Sequence, residues 1–480
     1  MKIAIGSSEV VPFAKTGGLA DVAGALPKAL EKLGHEVVVI LPYYKMVKKG
    51  NHPIKKTGKK IYVQLCNRIV DAEVYSSKIG KNVKVYFIAK SSYYNRNELY
   101  RGAQGDYKDN AERFIFFSKA ILSLLEEINF RPDIIHCNDW QTGLIPVLLK
   151  TIEKDNPFLR KAKTVFTIHN LAYQGLFWHY DMHMTNLPWD VFTQEGIEFY
   201  GKMNLLKAGI VYSDKVNTVS KKYAEEIQTT EYGCGLEGVL ANRKKDLRGI
   251  LNGVDYDEWS PEKDKFINSH FSSSKLSGKL ACKKDLLKEY GLDISPEKPL
   301  IGVISRLADQ KGFDILAPIM EKLMGLNLGF ILLGTGEEKY HRLFSAIGKE
   351  YPKKAGIKIS FDIGLSHRIE AGCDMFLMPS LFEPCGLNQI YSLKYGTIPI
   401  VRATGGLDDT IKQFDVSTAK GNGFKFTKYS PDTLLNTIQD ALSVYNDKAL
   451  WHKLVKNAMK CDFSWNQSAK EYEKLYKSVK

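Results

Sequence analysis

Residues 1–41 read MKIAIGSSEVVPFAKTGGLADVAGALPKALEKLGHEVVVIL. Lys2–Gly6 is a short apolar run of β type. Leu19–Leu33 carries apolar residues at helical spacing and is closed by Gly34. Glu36–Leu41 is a second apolar run. Strand, helix, strand in so short a stretch is a βαβ unit, which predicts parallel strands covered on both faces.

The same rhythm runs outward from this stretch. Strands are expected at Asp133–His136, Lys163–Ile168 and Lys215–Val219, with helices at Ala111–Ile128 and Trp140–Lys150. Three alternating segments in Lys59–Ala89 depart from it and read as an antiparallel insertion. Ser260–Leu280, rich in Ser, Lys and Asp, has the composition of a linker. The rhythm then restarts with strands at Leu300–Ile304, Leu328–Leu333, Ile357–Phe361, Met375–Met378 and Ile398–Val401. Helices lie between them at Gly312–Met324, Glu337–Lys349 and Leu387–Tyr395. Two doubly wound α/β domains follow, with ligands expected at the carboxyl ends of the strands and in the cleft between the domains.

Composition narrows the function classes. The chain has 480 residues, 44% hydrophobic and 25% charged, which excludes collagen-like and mainly disordered chains. No apolar run approaches the roughly 18 residues that span a bilayer. The first residues turn polar at Ser7-Ser8-Glu9, too soon for a secretory signal, so a cytoplasmic location is expected and no membrane. Cys66, Cys137, Cys234, Cys282, Cys373, Cys385 and Cys461 contain no C-x-x-C pair and read as free thiols. The net charge of +14 is spread over scattered lysine pairs, which points to a solvated surface and away from nucleic acid.

Three glycine turns open helices where a phosphate could sit. Lys15-Thr16-Gly17-Gly18-Leu19 follows the first strand, and its glycines would let an anion approach the helix start. Ser305-Arg306-Leu307 with Gln310-Lys311-Gly312 follows the first strand of the second half, offering a guanidinium and an ammonium. Thr404-Gly405-Gly406-Leu407 is available for the same anion. Glu383-Pro384-Cys385-Gly386-Leu387 brings a carboxylate suited to sugar hydroxyls instead. Gly334-Thr335-Gly336 lacks the third glycine of a dinucleotide fingerprint, and no P-loop occurs. Asp255-Tyr256-Asp257 reads as structural, and His179 and His183 lack the glutamate of H-E-x-x-H, so no metal is expected.

These stretches, with His136-Cys137-Asn138-Asp139-Trp140, Thr167-Ile168-His169-Asn170 and Asn252-Gly253-Val254-Asp255, resemble the bacterial glycogen synthases and starch synthases of glycosyltransferase family 5. They follow the family's order over nearly the whole chain. The resemblance implies a GT-B fold: a Rossmann-like acceptor-side domain over 1–248, a nucleotide-sugar-binding domain over 249–462, and a helix over 463–480 that returns to the first domain. It implies retaining transfer of glucose from ADP-glucose to the 4-hydroxyl at the non-reducing end of an α-1,4-glucan. No metal, pyridoxal phosphate or other cofactor is expected.

Carried over, the diphosphate falls to Lys15, Gly18, Arg306 and Lys311. The glucosyl pocket falls to Asp139, Trp140, His169, Asn170, Asn252, Glu383, Cys385, Gly386 and Leu387, with Thr404 and Gly405 beside it. His169, Arg306, Lys311 and Glu383 are the catalytic candidates. Asp21 reads either as an accessory acid by the lysine loop or as helix-start charge. Tyr391 stands where wider retaining GT-B enzymes carry a second glutamate, as is typical of this branch. The alternatives are a UDP-glucose-dependent GT-B transferase and an inactive glucan-binding protein. Oligomeric state is not legible.

Overall fold

The computed structural model describes residues 1–479. The chain divides into two compact units: Met1–Gly253 with the chain from Trp465 onward, and Val254–Ser464. Among the described residues no helix is long and apolar enough to cross a membrane.

The first unit is built on a nine-stranded sheet. In chain order its strands are β1 (Lys2–Gly6), β2 (Glu36–Pro42), β3 (Lys55–Leu65), β4 (Arg68–Ile79), β5 (Val83–Ala89), β6 (Ile134–Asn138), β7 (Lys163–Ile168), β8 (Lys215–Thr218) and β9 (Leu247–Gly249). They lie side by side as β9-β8-β7-β6-β1-β2-β5-β4-β3. From β9 to β5 all pairs are parallel; β4 and β3 are antiparallel. The segment read as an insertion thus extends the edge of the main sheet. The helix Gly18–Lys32 buries Leu19, Val22, Leu26 and Leu30. Gly34, at φ +86°, ends it, with the His35 N–H bonded to the Leu30 carbonyl.

The second unit carries six parallel strands: β10 (Leu300–Leu307), β11 (Gly329–Gly336), β12 (Ala355–Lys358), β13 (Met375–Met378), β14 (Ile398–Arg402) and β15 (Phe424–Phe426). Their order, β12-β11-β10-β13-β14-β15, reverses between β10 and β13. In the first unit the order reverses between β1 and β6. In a doubly wound sheet the connections leave in opposite directions at such a point, opening a crevice at the carboxyl ends.

Two readings need correction. Ser260–Leu280 is not a linker. It lies inside the second unit, with Ile267 and Phe271 in its core and Asp264 only 1% exposed. The Asp264 carboxylate accepts from His367 Nδ1 (2.8 Å) and the Tyr395 hydroxyl (2.5 Å). Its last residues already belong to the helix Ser277–Glu289. The unit boundary also falls after Gly253, where 248 was expected, because β9 pairs with β8 and holds the chain to the first sheet. The second boundary follows Ser464, where 462 was expected. There the backbone of Val254 bonds to Phe463, keeping that residue with the second unit.

The last helix, Trp465–Lys477, belongs to the first unit and packs on the helix Gly18–Lys32. Its Tyr472 and Tyr476 are fully buried. The Tyr476 hydroxyl meets His136 Nδ1 at 2.8 Å, and Ser468 donates to the Leu251 carbonyl.

Candidate active site

In the first unit the loop after β1 is organised by Glu9, a residue that no sequence motif singled out. Its carboxylate accepts the Thr16 N–H (2.5 Å), the Thr16 hydroxyl (2.6 Å), the Gly17 N–H (3.1 Å) and the Tyr100 hydroxyl (2.8 Å). Two of the backbone donors expected to face an anion are therefore committed inside the protein. Gly18 is different. It opens the helix, it is exposed, and a Cβ added there or at Gly17 would meet nothing within 4 Å. Nothing inside the fold demands glycine at either position. Lys15 pairs with Asp21 at 2.7 Å. Asp21 is thus the partner of the lysine, and burial holds its carboxyl above the ordinary range while the Lys15 ammonium opposes the shift.

At the switch point Asn138 ties β6 to β1, donating from Nδ2 to the Gly6 carbonyl at 3.0 Å. Its Oδ1 therefore faces His169 Nε2, 2.8 Å away. An amide oxygen only accepts, so Nε2 carries the proton and Nδ1 keeps its lone pair. Burial, with His136 adding to it, pushes the His169 pKa down to about 3, so the ring is neutral at any physiological pH.

Asp139 caps the end of β6 at φ +53° and ψ −175°, a region that only glycine enters freely. Its carboxylate accepts the His169 N–H at 2.7 Å and also bonds the backbone of Asn170. Burial drives its pKa up to about 7, against those hydrogen bonds, and nearby Glu9 adds to the rise. Asn170 accepts the Ala172 N–H and shapes the turn.

Trp140 is brought close in sequence but its ring packs inward. It lies 4.8 Å from Phe114 and 5.6 Å from Phe177. A Cβ at Gly175 would come within 2.6 Å of it. Asn252 is 4% exposed, and its amide oxygen has no donor among the described residues.

In the second unit Arg306, Lys311, Glu383, Gly386 and Leu387 line one cavity of about 210 Å³ at the β10/β13 switch point. Lys311 Nζ lies 2.6 Å from Glu383 Oε2, and the Ser380 hydroxyl donates to the same oxygen at 3.1 Å. Arg306 reaches Gln310 at 3.0 Å and is otherwise exposed. The Lys311 turn is pinned to the strand end because Gly312, at φ +79°, sits where a Cβ would be 2.0 Å from the Pro379 carbonyl. The Leu381 N–H donates to the Gln310 carbonyl.

The third glycine turn has one backbone donor committed inside the protein. The Gly406 N–H donates to the carbonyls of Glu383 (3.1 Å) and Pro384 (3.2 Å). A Cβ at Gly405 would lie 2.0 Å from the Glu383 carbonyl, and one at Gly406 2.0 Å from that of Cys385. Thr404 and Cys385 are buried. This turn is the seat on which the Glu383 loop rests.

Among the described residues no group of three or more His, Cys, Asp or Glu could hold a metal ion. Asp255 instead accepts the Asp257 N–H in a local turn.

Comparison with known proteins places this geometry in context. Residues 2–242 match the starch synthase catalytic domain family, and residues 289–461 match glycosyl transferases group 1. The chain is 49% identical over 480 residues to a glycogen synthase of Koribacter versatilis, covering 100% of this chain and 98% of that protein. It is 49% identical to a glycogen synthase of Fervidobacterium nodosum, covering 100% and 99%. Among solved structures, the catalytic domain of starch synthase IV from Arabidopsis thaliana, bound to ADP and acarbose, superposes with a TM-score of 0.91 at 33% identity, covering 100% and 99%.

Proposed function

The chain belongs to the family of glycogen and starch synthases, and from that membership we propose how its residues carry out glucosyl transfer. The reaction is transfer of glucose from ADP-glucose to the non-reducing-end 4-hydroxyl of an α-1,4-glucan, with retention at C1 and release of ADP. A cytoplasmic location accords with that substrate pair. The observation that carries the reading is the cavity in the second unit, where a guanidinium, an ammonium and a carboxylate converge at a strand-order switch.

The diphosphate contacts are assigned to Arg306 and Lys311 in the second unit and to Lys15 and Gly18 in the first. In the reaction the bond from C1 to the phosphate oxygen breaks, and its electron pair stays on that oxygen. Fixed cations aimed there stabilise the transition state more than the ground state. The acceptor oxygen attacks C1 from the face the phosphate leaves, and its proton passes to the departing phosphate oxygen. Glu383 holds Lys311 in place through their 2.6 Å contact and is assigned to the sugar hydroxyls.

A neutral His169 with a free Nδ1 lone pair suits acceptance of a hydrogen bond from the glucosyl 6-hydroxyl. Asp139 fixes the His169 backbone, and the unpaired Asn252 oxygen is a further acceptor. Trp140, Cys385, Thr404 and Gly405 support the pocket from behind.

The test is substitution at the cavity. A charged hydrogen bond contributes roughly 1.5–3 kcal/mol, so Lys311→Ala should slow transfer about 10- to 150-fold. Activity should be unaffected by EDTA. If Lys311→Ala or Glu383→Ala kept full activity, or if Glu383→Gln trapped a covalent glucosyl-enzyme, these roles would be wrong.

A further inference from the structure

Three neighbouring strands of the first unit carry polar side chains into a fully buried layer. Asn138 of β6, Thr167 of β7 and Asn217 of β8 are register partners, so their side chains stand in one row on one face of the sheet. His136 lies two residues before Asn138 on β6 and points to the same face. The last helix meets that face through Tyr472 and Tyr476. His136, Thr167, Asn217 and both tyrosines are fully buried.

These five side chains form one hydrogen-bonded relay that leaves the helix and returns to it. The Tyr476 hydroxyl meets His136 Nδ1 at 2.8 Å, and His136 Nε2 meets the Thr167 hydroxyl at 2.5 Å. The Thr167 hydroxyl donates to Asn217 Oδ1 at 2.7 Å, and Asn217 Nδ2 donates to the Tyr472 hydroxyl at 3.3 Å. Thr167 has one proton and gives it to Asn217, so it accepts from His136. Nε2 of His136 therefore carries the ring proton, and Nδ1 accepts from Tyr476. Burial pushes the His136 pKa down to about 3, which keeps the ring in that neutral form. Each link has one donor and one acceptor. A buried network satisfied in this way holds its members in one arrangement.

The row reaches the candidate site through Asn138. Its Oδ1 faces His169 Nε2 at 2.8 Å, while its Nδ2 is held by the Gly6 carbonyl. Thr167 stands beside Asn138 in the row and precedes His169 by two residues. The Thr167 carbonyl also accepts the Asp139 N–H at 3.0 Å. A Thr167 proton not committed to Asn217 would have the Asn138 oxygen as its nearest alternative acceptor in the row, at the expense of His169. Docking of the last helix alone needs no such relay, because matched apolar side chains of the same shape serve about as well as a buried hydrogen-bonded pair.

We propose that Thr167, His136 and Tyr476 are positioning residues for His169: the relay holds the Thr167 hydroxyl away from Asn138 and leaves that amide oxygen to fix the His169 ring. The last helix thereby takes part in glucosyl transfer without touching the reacting atoms. The inference rests on the glucosyl-transfer reading and on the role given there to His169.

The experiment measures kcat and KM for transfer from ADP-glucose to maltotriose by the full chain, with the melting temperature recorded for each variant. Thr167→Val keeps the shape of the side chain and removes the hydroxyl. It should lower kcat roughly fivefold or more, about the worth of one hydrogen bond, with KM for both substrates little changed. Thr167→Ser returns the hydroxyl and should return kcat. Tyr476→Phe, at the end of the relay, should lower kcat in the same sense, and it carries the test if Thr167→Val does not fold. Both substitutions are then repeated in a His169→Ala background. A relay that acts through His169 has nothing left to position there, so neither should lower kcat further.

Unchanged kcat in either folded variant overturns the proposal. So does a Thr167→Ser variant no faster than Thr167→Val. A fall by the same factor with and without His169 also overturns it, since a merely structural loss acts in both backgrounds. His169→Ala at full kcat would strike at the role given to His169 itself, whereas a slow His169→Ala that each substitution slows further would strike at the relay alone.

Discussion

Gly18 and Asp139 each do something the folded chain would not choose for itself. Gly18 has an open space where a side chain would go. Gly18→Ala should therefore leave the melting temperature unchanged while KM for ADP-glucose rises roughly tenfold, about one hydrogen bond lost. An unchanged KM would assign the glycine to chance. Asp139 combines a positive-φ backbone with a carboxyl whose pKa burial pushes up to about 7. The unfolded chain's Asp titrates near 3.9. Between those two values the folded protein keeps a proton that the unfolded chain has lost, so stability falls as pH rises from about 4 to about 7.

Asp139→Asn removes that titration and retains an oxygen for the His169 N–H. Its melting temperature relative to the unsubstituted protein should climb across this window and stay level above it. The gain is bounded by about three pKa units, on the order of 4 kcal/mol. Activity should fall at least severalfold, because the carboxylate fixes the His169 backbone. A stability difference that does not change between pH 4.5 and 8 would contradict the assigned burial. The neutral His169 makes a companion prediction: no inflection near pH 6.5 in the activity profile should disappear on its substitution.

At the scale of elements, glycine turns and a returning helix hold the site. A Cβ at Gly406 would stand 2.0 Å from the Cys385 carbonyl. Gly406→Ala should push the Glu383 loop off its seat, with about 1–3 kcal/mol lost and a fall in kcat larger than the change in KM. Tyr476→Phe should cost about 1 kcal/mol, since His136 loses a buried partner on the last helix.

Elements of this kind differed in how well the sequence disclosed them. Strands such as Glu36–Pro42 were plain, because buried parallel strands are near-continuous apolar runs, here Val37–Leu41. The Ser260–Leu280 stretch misled because its anchor is one aspartate whose partners, His367 and Tyr395, lie far along the chain. The packing role of Gly405 and Gly406 was silent because a glycine needed for close backbone packing and one needed for a ligand are identical in sequence. Glu9 was silent for a related reason. A lone acid in a loop gains meaning only when its four donors from Thr16, Gly17 and Tyr100 are seen together.

Across the whole molecule, each unit offers its chemistry at the point where its strand order reverses. The first offers a neutral histidine, an aspartate and a lysine–glycine loop; the second offers a guanidinium, an ammonium and a carboxylate. Motifs at strand ends made both groups legible, since chemistry-bearing residues there recur at fixed distances from glycine turns. The hydrogen-bond partners that orient them, Asn138 and Ser380 among them, were not legible, because neighbours from different strands carry no spacing signal.

The account's central claim is tested by supplying labelled glucose as ADP-glucose and, in parallel, as UDP-glucose, with glycogen as acceptor. The product is then digested with an exo-acting enzyme specific for α-1,4 links. The account predicts strong transfer from ADP-glucose, with the label released from chain ends. Label that resists digestion, transfer from UDP-glucose alone, or glycogen binding without any transfer would contradict it.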